Sequence, residues 1–137
     1  FIKGIDEEAV THNAEILKTQ FATEIDFLRN ARHYYQYGKL LITHAGFDST
    51  AENWQDTSNQ DFLWIREHYL QPNQTGLINI FGHTPTRNMH KIDDIWISPC
   101  QSYIGIDGGC AYGGQLNALL ISEQGEILET FVEHSDK

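Results

Sequence analysis

The sequence predicts a mixed α/β fold, and three features of the chain support that class. Residues 77–81 form a short, isoleucine-rich apolar run, which is typical of a buried strand. Residues 39–43 form a second run of the same kind. Residues 6–30 instead carry apolar side chains at helical spacing, with charged residues between them. Buried strands combined with amphipathic helices predict a sheet that is covered by helices.

The first half of the chain is predicted to mix helix, strand and loop. A helix over residues 6–30 is followed by an aromatic connection over residues 34–38, whose tyrosines we expect to pack against the sheet. After the first strand, residues 48–60 are rich in Asp, Asn, Ser and Thr and predict a polar loop, in which Trp54 caps the core. Residues 61–70 then predict a short amphipathic helix.

The second half is predicted to be richer in strands. Residues 93–94 are adjacent aspartates and predict a turn rather than a metal pair, because consecutive strand residues point to opposite faces. The glycine-rich loop over residues 107–114 lacks the lysine and hydroxyl residues of nucleotide-binding loops and opens no predicted helix. Further strands are expected over residues 95–97 and 102–106, and in a closing hairpin of residues 116–121 and 127–132.

The composition is that of an ordinary globular protein with excess negative charge. The chain is long enough for a real core, and we assign residues 1–137 to a single domain. A formal charge of −10 argues against a nucleic-acid or anionic membrane surface but is compatible with an anionic substrate, because a bound metal inverts the local field. Cys100 and Cys110 show neither metal-ligand spacing nor a disulfide framework. Without a membrane-spanning run or a visible signal peptide, a cytoplasmic location is expected.

Each predicted buried strand ends in a histidine. His44 follows the first strand and precedes two small residues, whereas His83 follows Gly82 after the second strand. Pro85 stiffens the loop after His83. If the two strands are neighbours in a parallel or mixed sheet, both imidazoles project from one edge. Because imidazole is a common ligand of zinc, manganese and iron, the pair predicts half of a metal site; an ordinary hydrogen-bonded turn is the alternative for either histidine alone.

Arg66 is a candidate anion-binding residue within the helix predicted over residues 61–70. It stands among apolar and aromatic residues, and a guanidinium group can bind a phosphate through two parallel hydrogen bonds. The alternative is a surface salt bridge with Asp61 or Glu67, which spacing alone slightly favours.

Four stretches, taken together, resemble motifs of one known family. Each stretch alone is weak, whereas four in the family's order are specific. Over residues 27–132 the chain resembles the carboxy-terminal half of the calcineurin-like metallophosphoesterases, closest to bacterial serine/threonine protein phosphatases and dinucleoside tetraphosphatases. The stretches are residues 43–46 (Thr-His-Ala-Gly), 63–66 (Leu-Trp-Ile-Arg), 82–85 (Gly-His-Thr-Pro) and 106–116 (Ile-Asp-Gly-Gly through Tyr-Gly-Gly-Gln-Leu).

The resemblance implies a layered β-sandwich flanked by helices, with two divalent metal ions (Mn, Fe or Zn) at the strand ends. It implies that His44 and His83 ligate the second metal and that Arg66 holds the substrate phosphate. Tyr112 and the glycine loop around it are implied to line the site. The implied reaction is hydrolysis of a phosphate ester, in a phosphoprotein or a nucleotide, by a metal-activated hydroxide.

Three ligand motifs of the family have no counterpart in this sequence: Asp-x-His, Gly-Asp-x-x-Asp-Arg-Gly and Gly-Asn-His. In the family they supply the first metal's ligands, the bridging aspartate and the general acid. His12 and Asn13 have the last pair in reverse order on a predicted helix. We therefore expect this chain to be the carboxy-terminal portion of a phosphoesterase domain, and we expect little or no turnover from it alone.

Other hypotheses stay open. A dinucleoside polyphosphate hydrolase would use the same core, and residues 48–60 are a predicted specificity loop whose preferred substrate the sequence does not reveal. A non-catalytic binding module on the same scaffold is a further alternative, although such a module has no physical need for two strand-end imidazoles and Arg66. A generic α/β domain would require four accidental matches in order.

Overall fold

The structure is a computed structural model, and it describes residues 7–135. The chain forms two compact units, residues 1–32 and residues 33–137. The assignment of residues 1–137 to a single domain stays a prediction. In the part of the chain that is described, no helix is long and apolar enough to cross a membrane.

The first unit contains two helices rather than the single helix predicted over residues 6–30. Helix α1 spans Glu7–Gln20 and helix α2 spans Ala22–Arg29, with Phe21 between them at φ −120° and ψ 32°. All of α2 is described, none of its residues is buried, and Phe27 is 74% exposed. The helical spacing therefore predicted the conformation correctly, but the apolar face it implied is not buried in α2.

The second unit contains a five-stranded mixed sheet. Its strands are β1 (Tyr34–Tyr37), β2 (Leu40–Thr43), β3 (Ile78–Phe81), β4 (Trp96–Ile97) and β5 (Tyr103–Gly105). Their order in the sheet is β1-β2-β3-β5-β4. Strands β2, β3 and β5 are parallel, whereas β1 and β4 pair antiparallel at the two edges. The two strands that precede the candidate histidines are thus parallel neighbours, which confirms the arrangement on which the predicted site depends.

Strand β1 corrects the prediction of an aromatic connection over residues 34–38. Tyr34 packs edge-on against Trp54 with ring centroids 5.0 Å apart, so the expected packing holds for this tyrosine and Trp54 does cover the core. Tyr35 and Tyr37 are 51% and 47% exposed. Because side chains alternate between the two faces of a strand, the three tyrosines cannot all reach the same core.

The sheet has an apolar cluster on each face. Leu40, Ile80 and Ile104 form one cluster, which is covered by a two-stranded sheet of β6 (Gln115–Ile121) and β7 (Ile127–His134). This antiparallel pair confirms the predicted closing hairpin. The neighbouring positions along the strands point to the other face, where loops and a short helix cover them. That second cluster consists of Leu41, Phe47, Phe62, Phe81 and Tyr103.

The helix predicted over residues 61–70 is wrong in its second half. Helix α3 spans only Asn59–Trp64, and it starts at Ser58, whose hydroxyl accepts a hydrogen bond from the Asp61 amide at 3.0 Å. The chain then extends and resumes as a single 3₁₀ turn at His68–Leu70. The break turns His68 into the core, where it is 3% exposed. Arg66 consequently lies on the irregular segment between α3 and the 3₁₀ turn and not on a helix.

The turn predicted at residues 93–94 is confirmed, and both aspartates have structural partners. The Asp93 carboxylate accepts hydrogen bonds from Arg87 Nε at 2.7 Å and Nη2 at 3.0 Å. Asp94 accepts one from Gln115 Nε2 at 3.0 Å. These contacts tie the turn to the short helix α4 (Arg87–His90) and to β6.

Candidate functional site

The candidate site lies at the carboxyl ends of the parallel strands β2, β3 and β5. His44 directly follows β2, His83 comes two residues after β3, and Asp107 comes two residues after β5. The imidazole centroids of His44 and His83 are 5.1 Å apart. The Gly82 amide also donates a hydrogen bond to the His44 carbonyl at 2.9 Å, which joins the two loops. The prediction that both imidazoles share one edge of the sheet is therefore confirmed.

The loop that carries His83 is tightly constrained. His83 has φ +65°, an uncommon value for a residue with a side chain, and the Thr84 amide donates to the Gly82 carbonyl at 2.7 Å. The Thr86 amide donates to the Asp107 carbonyl at 2.8 Å and fixes the loop against the end of β5. Backbone strain of this kind is concentrated at functional sites in proteins.

One ring nitrogen of His83 is buried without a partner. Among the residues that the structure describes, no group forms a hydrogen bond with His83 Nε2. A buried polar atom in a folded protein normally has a partner, so an exception of this kind needs an explanation. His44, by contrast, is exposed to solvent. A ligand that reaches both imidazoles would satisfy the buried nitrogen of one and the open face of the other.

The surroundings of His83 favour its neutral form. Burial is the main cause that lowers its pKa from 6.5, and the positive charge of Arg66 and the neighbouring His44 act in the same direction. Asp107 acts in the opposite direction. Neutral imidazole is the form that binds metal ions, so the local electrostatics are compatible with a ligand role at neutral pH.

Arg66 is close enough to His83 to influence its charge, and it forms no ion pair within residues 7–135. The alternative salt bridge with Asp61 or Glu67 is thus not formed, and the Asp61 carboxylate instead accepts a hydrogen bond from Ser58. The guanidinium group is exposed beside the histidine pair. An anion bound at this edge of the sheet would therefore lie near the Arg66 guanidinium group.

We expect Arg66→Gln to raise the pKa of His83, because the substitution removes the positive charge that opposes protonation of the imidazole. Long-range ¹H–¹⁵N spectra of the imidazoles recorded across the acid range would measure the change. Lys39→Gln is the matched control, since it removes a positive charge at the opposite end of β2. Equal pKa values of His83 in the wild type and in Arg66→Gln would contradict the adjacency.

Two residues of the site were missed in the sequence. Trp64 lies edge-on to His83 with ring centroids 5.4 Å apart and is 59% exposed. It stands in the stretch of residues 63–66 that carries the resemblance, but no role was predicted for it. Asp107 follows a strand, which was a usable signal, and its Oδ1 accepts a hydrogen bond from the Gly109 amide at 2.8 Å.

Tyr112 is not joined to the histidine pair. It lies on a 3₁₀ turn between Gly109 and Gly113, both of which have positive φ, and it is 79% exposed. In the described part of the chain, no ring contact or hydrogen bond connects it to His44 or His83. Its predicted place in the lining of the site stays a prediction.

A third histidine, His68, is buried in the core and stabilises the segment that follows His44. Its Nε2 lies 3.0 Å from Asn79 Oδ1, and the Asn79 amide group donates to the Leu41 carbonyl at 2.9 Å and the Thr43 hydroxyl at 3.0 Å. Because Asn79 uses its amide group as the donor, His68 Nε2 must carry the proton. The His68 ring also fills the space beside Gly46, where a side chain would otherwise lie. The network therefore fixes the segment that follows His44.

The histidine pair fits part of a metal site and not a whole one. Over residues 7–135, no group of three or more His, Cys, Asp or Glu side chains is arranged to hold a metal ion. The unpartnered nitrogen of His83 and the adjacent imidazole of His44 fit two of the ligands that a divalent ion needs. His12 is exposed on α1, as expected for a solvated helix face.

Comparisons of the chain with protein-family models, with curated proteins and with solved structures found no match.

Proposed function

We propose that this chain is the carboxy-terminal part of a metal-dependent phosphoesterase of the calcineurin-like class, similar to serine/threonine-type protein phosphatases. The observation that carries the proposal is the pairing of His44 with His83, whose Nε2 is buried and unpartnered among the described residues. The exposed guanidinium of Arg66 beside that pair adds an anion-binding group. A structural scaffold alone requires neither two strand-end imidazoles in contact nor a guanidinium group beside them.

In this proposal, His44 and His83 each contribute a ring nitrogen to a divalent ion, which is Mn, Fe or Zn. Such an ion, when bound, supplies a Lewis acid that polarises phosphoryl oxygens and lowers the pKa of water. Arg66 binds and orients the phosphate through its planar pair of N–H donors. The lowered pKa of His83 keeps its imidazole neutral and available as a ligand. Two imidazoles do not hold two divalent ions, so further ligands must come from residues outside this pair.

The architecture is compatible with the proposal. A mixed sheet with a hairpin on one face and a helix on the other suits the carboxy-terminal part of a layered β-sandwich. The candidate residues lie beyond the carboxyl ends of parallel strands, where α/β proteins place their ligands. Fold-level agreement is weaker support than the site, because one fold serves many functions.

The proposal predicts phosphoesterase activity in a longer protein from the parent gene that includes the residues upstream of Phe1. With Mn²⁺, that protein should hydrolyse p-nitrophenyl phosphate, and the 137-residue chain should show little or no turnover. We expect His44→Ala and His83→Ala each to lower kcat/KM by about a hundredfold or more, since loss of a residue that merely supports a metal ligand already costs about 10- to 100-fold.

The matched control is His134→Ala, which removes an exposed imidazole at the end of β7. This variant should keep the activity of the parent. Strong metal-dependent turnover by the 137-residue chain would contradict the prediction that it holds only part of the site. Lack of turnover by the longer protein with Mn²⁺, Fe²⁺ and Zn²⁺ would contradict the proposed function itself.

A further inference from the structure

The imidazole of His83 is not held by a hydrogen bond from the described part of the chain. Within residues 7–135, the histidine rings that form side-chain hydrogen bonds are those of His68 and His90. His83 forms none, and its Nε2 is buried without a partner. The positive φ of His83 fixes the backbone of its loop but leaves the side chain free to choose among staggered rotamers. Packing must therefore orient this ring.

The lack of a hydrogen bond is unusual for a histidine that ligates a metal ion. Such a histidine almost always donates the N–H of its other ring nitrogen to an acceptor, and that bond fixes the orientation of the ring. Asp107 is the carboxylate at the end of the adjacent strand, but its Oδ1 accepts from the Gly109 amide at 2.8 Å. Another group has to take over the orienting role for His83.

Two aromatic rings pack against His83. The His44 ring is tilted by 54° with centroids 5.1 Å apart, and the Trp64 ring stands at 86° with centroids 5.4 Å apart. Edge-to-face packing is a preferred geometry for aromatic rings at this separation. His44 is exposed and is itself a candidate ligand. Trp64 is therefore the ring outside the histidine pair that can hold His83 in place.

The core of the protein does not depend on the Trp64 side chain. Phe62 anchors helix α3 and is 2% exposed, whereas Trp64, on the same helix, is 59% exposed. Among the described residues, the ring contact of Trp64 is with His83. A large aromatic side chain that contributes to a core buries most of its surface. The placement of Trp64 is thus better explained by His83 than by the core.

The backbone holds Trp64 beside the histidine pair. The Ala45 amide donates a hydrogen bond to the Phe62 carbonyl at 3.0 Å, which joins the last turn of α3 to the residue after His44. Trp64 lies two residues further along and ends the helix. Its position beside the site is therefore set by this bond and by the burial of Phe62, and not by burial of the indole itself.

We propose that Trp64 is a positioning residue, whose indole keeps the His83 imidazole in one rotamer for binding a divalent metal ion. The edge-to-face contact takes the place of the hydrogen bond that usually orients a metal ligand. The inference rests on the proposed function, because a fixed orientation of His83 serves a purpose only if His83 binds a metal ion. It gives a role to an exposed aromatic residue for which the sequence predicted none.

A first experiment measures the orientation of His83 without metal or catalysis. Three-bond ¹³C and ¹⁵N couplings to Cγ in the labelled, metal-free 137-residue protein report the χ1 rotamers of His83. We expect one rotamer in the wild type and in Trp64→Phe, which keeps a ring, and several rotamers in Trp64→Ala. Trp64→Leu, which keeps apolar bulk for folding but has no ring, should behave like Trp64→Ala. Leu63→Ala is the matched control, because it removes a 39% exposed apolar side chain from the neighbouring position of α3.

A second experiment uses the longer protein from the parent gene and measures the Mn²⁺ concentration that gives half-maximal turnover of p-nitrophenyl phosphate. Trp64→Ala should raise this concentration about tenfold or more, since loss of a group that orients a metal ligand costs about 10- to 100-fold in metal affinity or activity. Saturating Mn²⁺ should restore most of the turnover. Trp64→Phe and Leu63→Ala should stay close to the wild-type value.

Urea unfolding separates orientation from stability. Trp64→Ala and Leu63→Ala should unfold at similar urea concentrations, because both side chains are exposed. A loss of metal affinity confined to Trp64→Ala then reports the contact with His83 and not a general weakening of the fold.

The outcomes distinguish the two proposals. Several His83 rotamers in the wild type, one rotamer in Trp64→Ala, or an equal effect of Leu63→Ala overturns the positioning role. An unchanged Mn²⁺ requirement in an active Trp64→Ala variant also overturns it, while the phosphoesterase proposal stands. If the single rotamer of His83 depends on Trp64 but the longer protein shows no turnover with Mn²⁺, Fe²⁺ or Zn²⁺, Trp64 orients the ring and the proposed function is wrong.

Discussion

Gly46→Ala is expected to lower the free energy of unfolding by about 3 kcal/mol or more. A Cβ atom at this position would come within 2.7 Å of Nε2 in the His68 ring and still closer to Cε1 and Nδ1 of the same ring. His68 cannot retreat easily, because it is 3% exposed and bonded to Asn79. Gly46 also has φ 152°, which side chains disfavour. Urea unfolding, followed by circular dichroism, would measure the loss.

Gly76→Ala is the matched control for this prediction. Gly76 has φ 72°, yet nothing lies within 4 Å of a Cβ atom built there, so the substitution introduces backbone strain without a steric clash. Its expected cost is about 1–2 kcal/mol. If both substitutions cost the same, the packing of His68 against Gly46 contributes nothing beyond backbone strain. The double variant Gly46→Ala/His68→Ala should cost less than the sum of the two single variants, because the clash is then absent.

Stability is expected to fall by about 3 kcal/mol between pH 6.5 and pH 4 through His68 alone. Burial lowers the pKa of His68 from 6.5 to about 4, and the hydrogen bond with Asn79 only partly opposes this shift. Between these two pH values the unfolded chain binds a proton that the folded chain does not, so acid favours unfolding. The contribution is fully present above pH 6.5 and is lost progressively as the pH falls toward 4.

His68→Gln tests the prediction, because glutamine can still bond Asn79 but does not titrate. The stability of this variant should depend less on pH across the same range, so that the difference from the wild type shrinks as the pH falls. His134→Gln, which changes an exposed histidine, should follow the wild-type profile. Parallel pH profiles for the wild type and His68→Gln would show that another group controls the acid transition.

The strands and the histidine pair could be predicted because their signals are local. An isoleucine-rich run indicates a buried strand wherever it occurs, and β2 and β3 lie within one residue of their predicted bounds. A histidine followed by small residues, or bracketed by glycine and proline, marks the loop that follows such a strand. Once the strands were assumed to be parallel neighbours, the meeting of His44 and His83 followed from geometry.

The parts that were missed depend on contacts between distant residues. The helical spacing of residues 61–70 is real, but burial of His68 against Gly46 overrides it and breaks the helix after Trp64. Strand β1 is rich in tyrosine and lies beside a glycine turn, and only its pairing with β2 distinguishes it from a connection. Trp64 is the last residue of α3, and its contact with His83 joins residues far apart in the chain, which no local pattern indicated.

The parallel pairing of β2 with β3 has a consequence for how the protein folds. Leu40 pairs with Ile78 and Ile42 with Ile80, so every contact of this ladder closes a loop of 38 residues. Closing such a loop has an entropic cost that local hairpins avoid, and chains rich in distant pairings fold slowly. No isolated helix or hairpin fragment contains both His44 and His83. Their 5.1 Å approach exists only after the long-range topology has formed, so the histidine pair is a property of the assembled sheet.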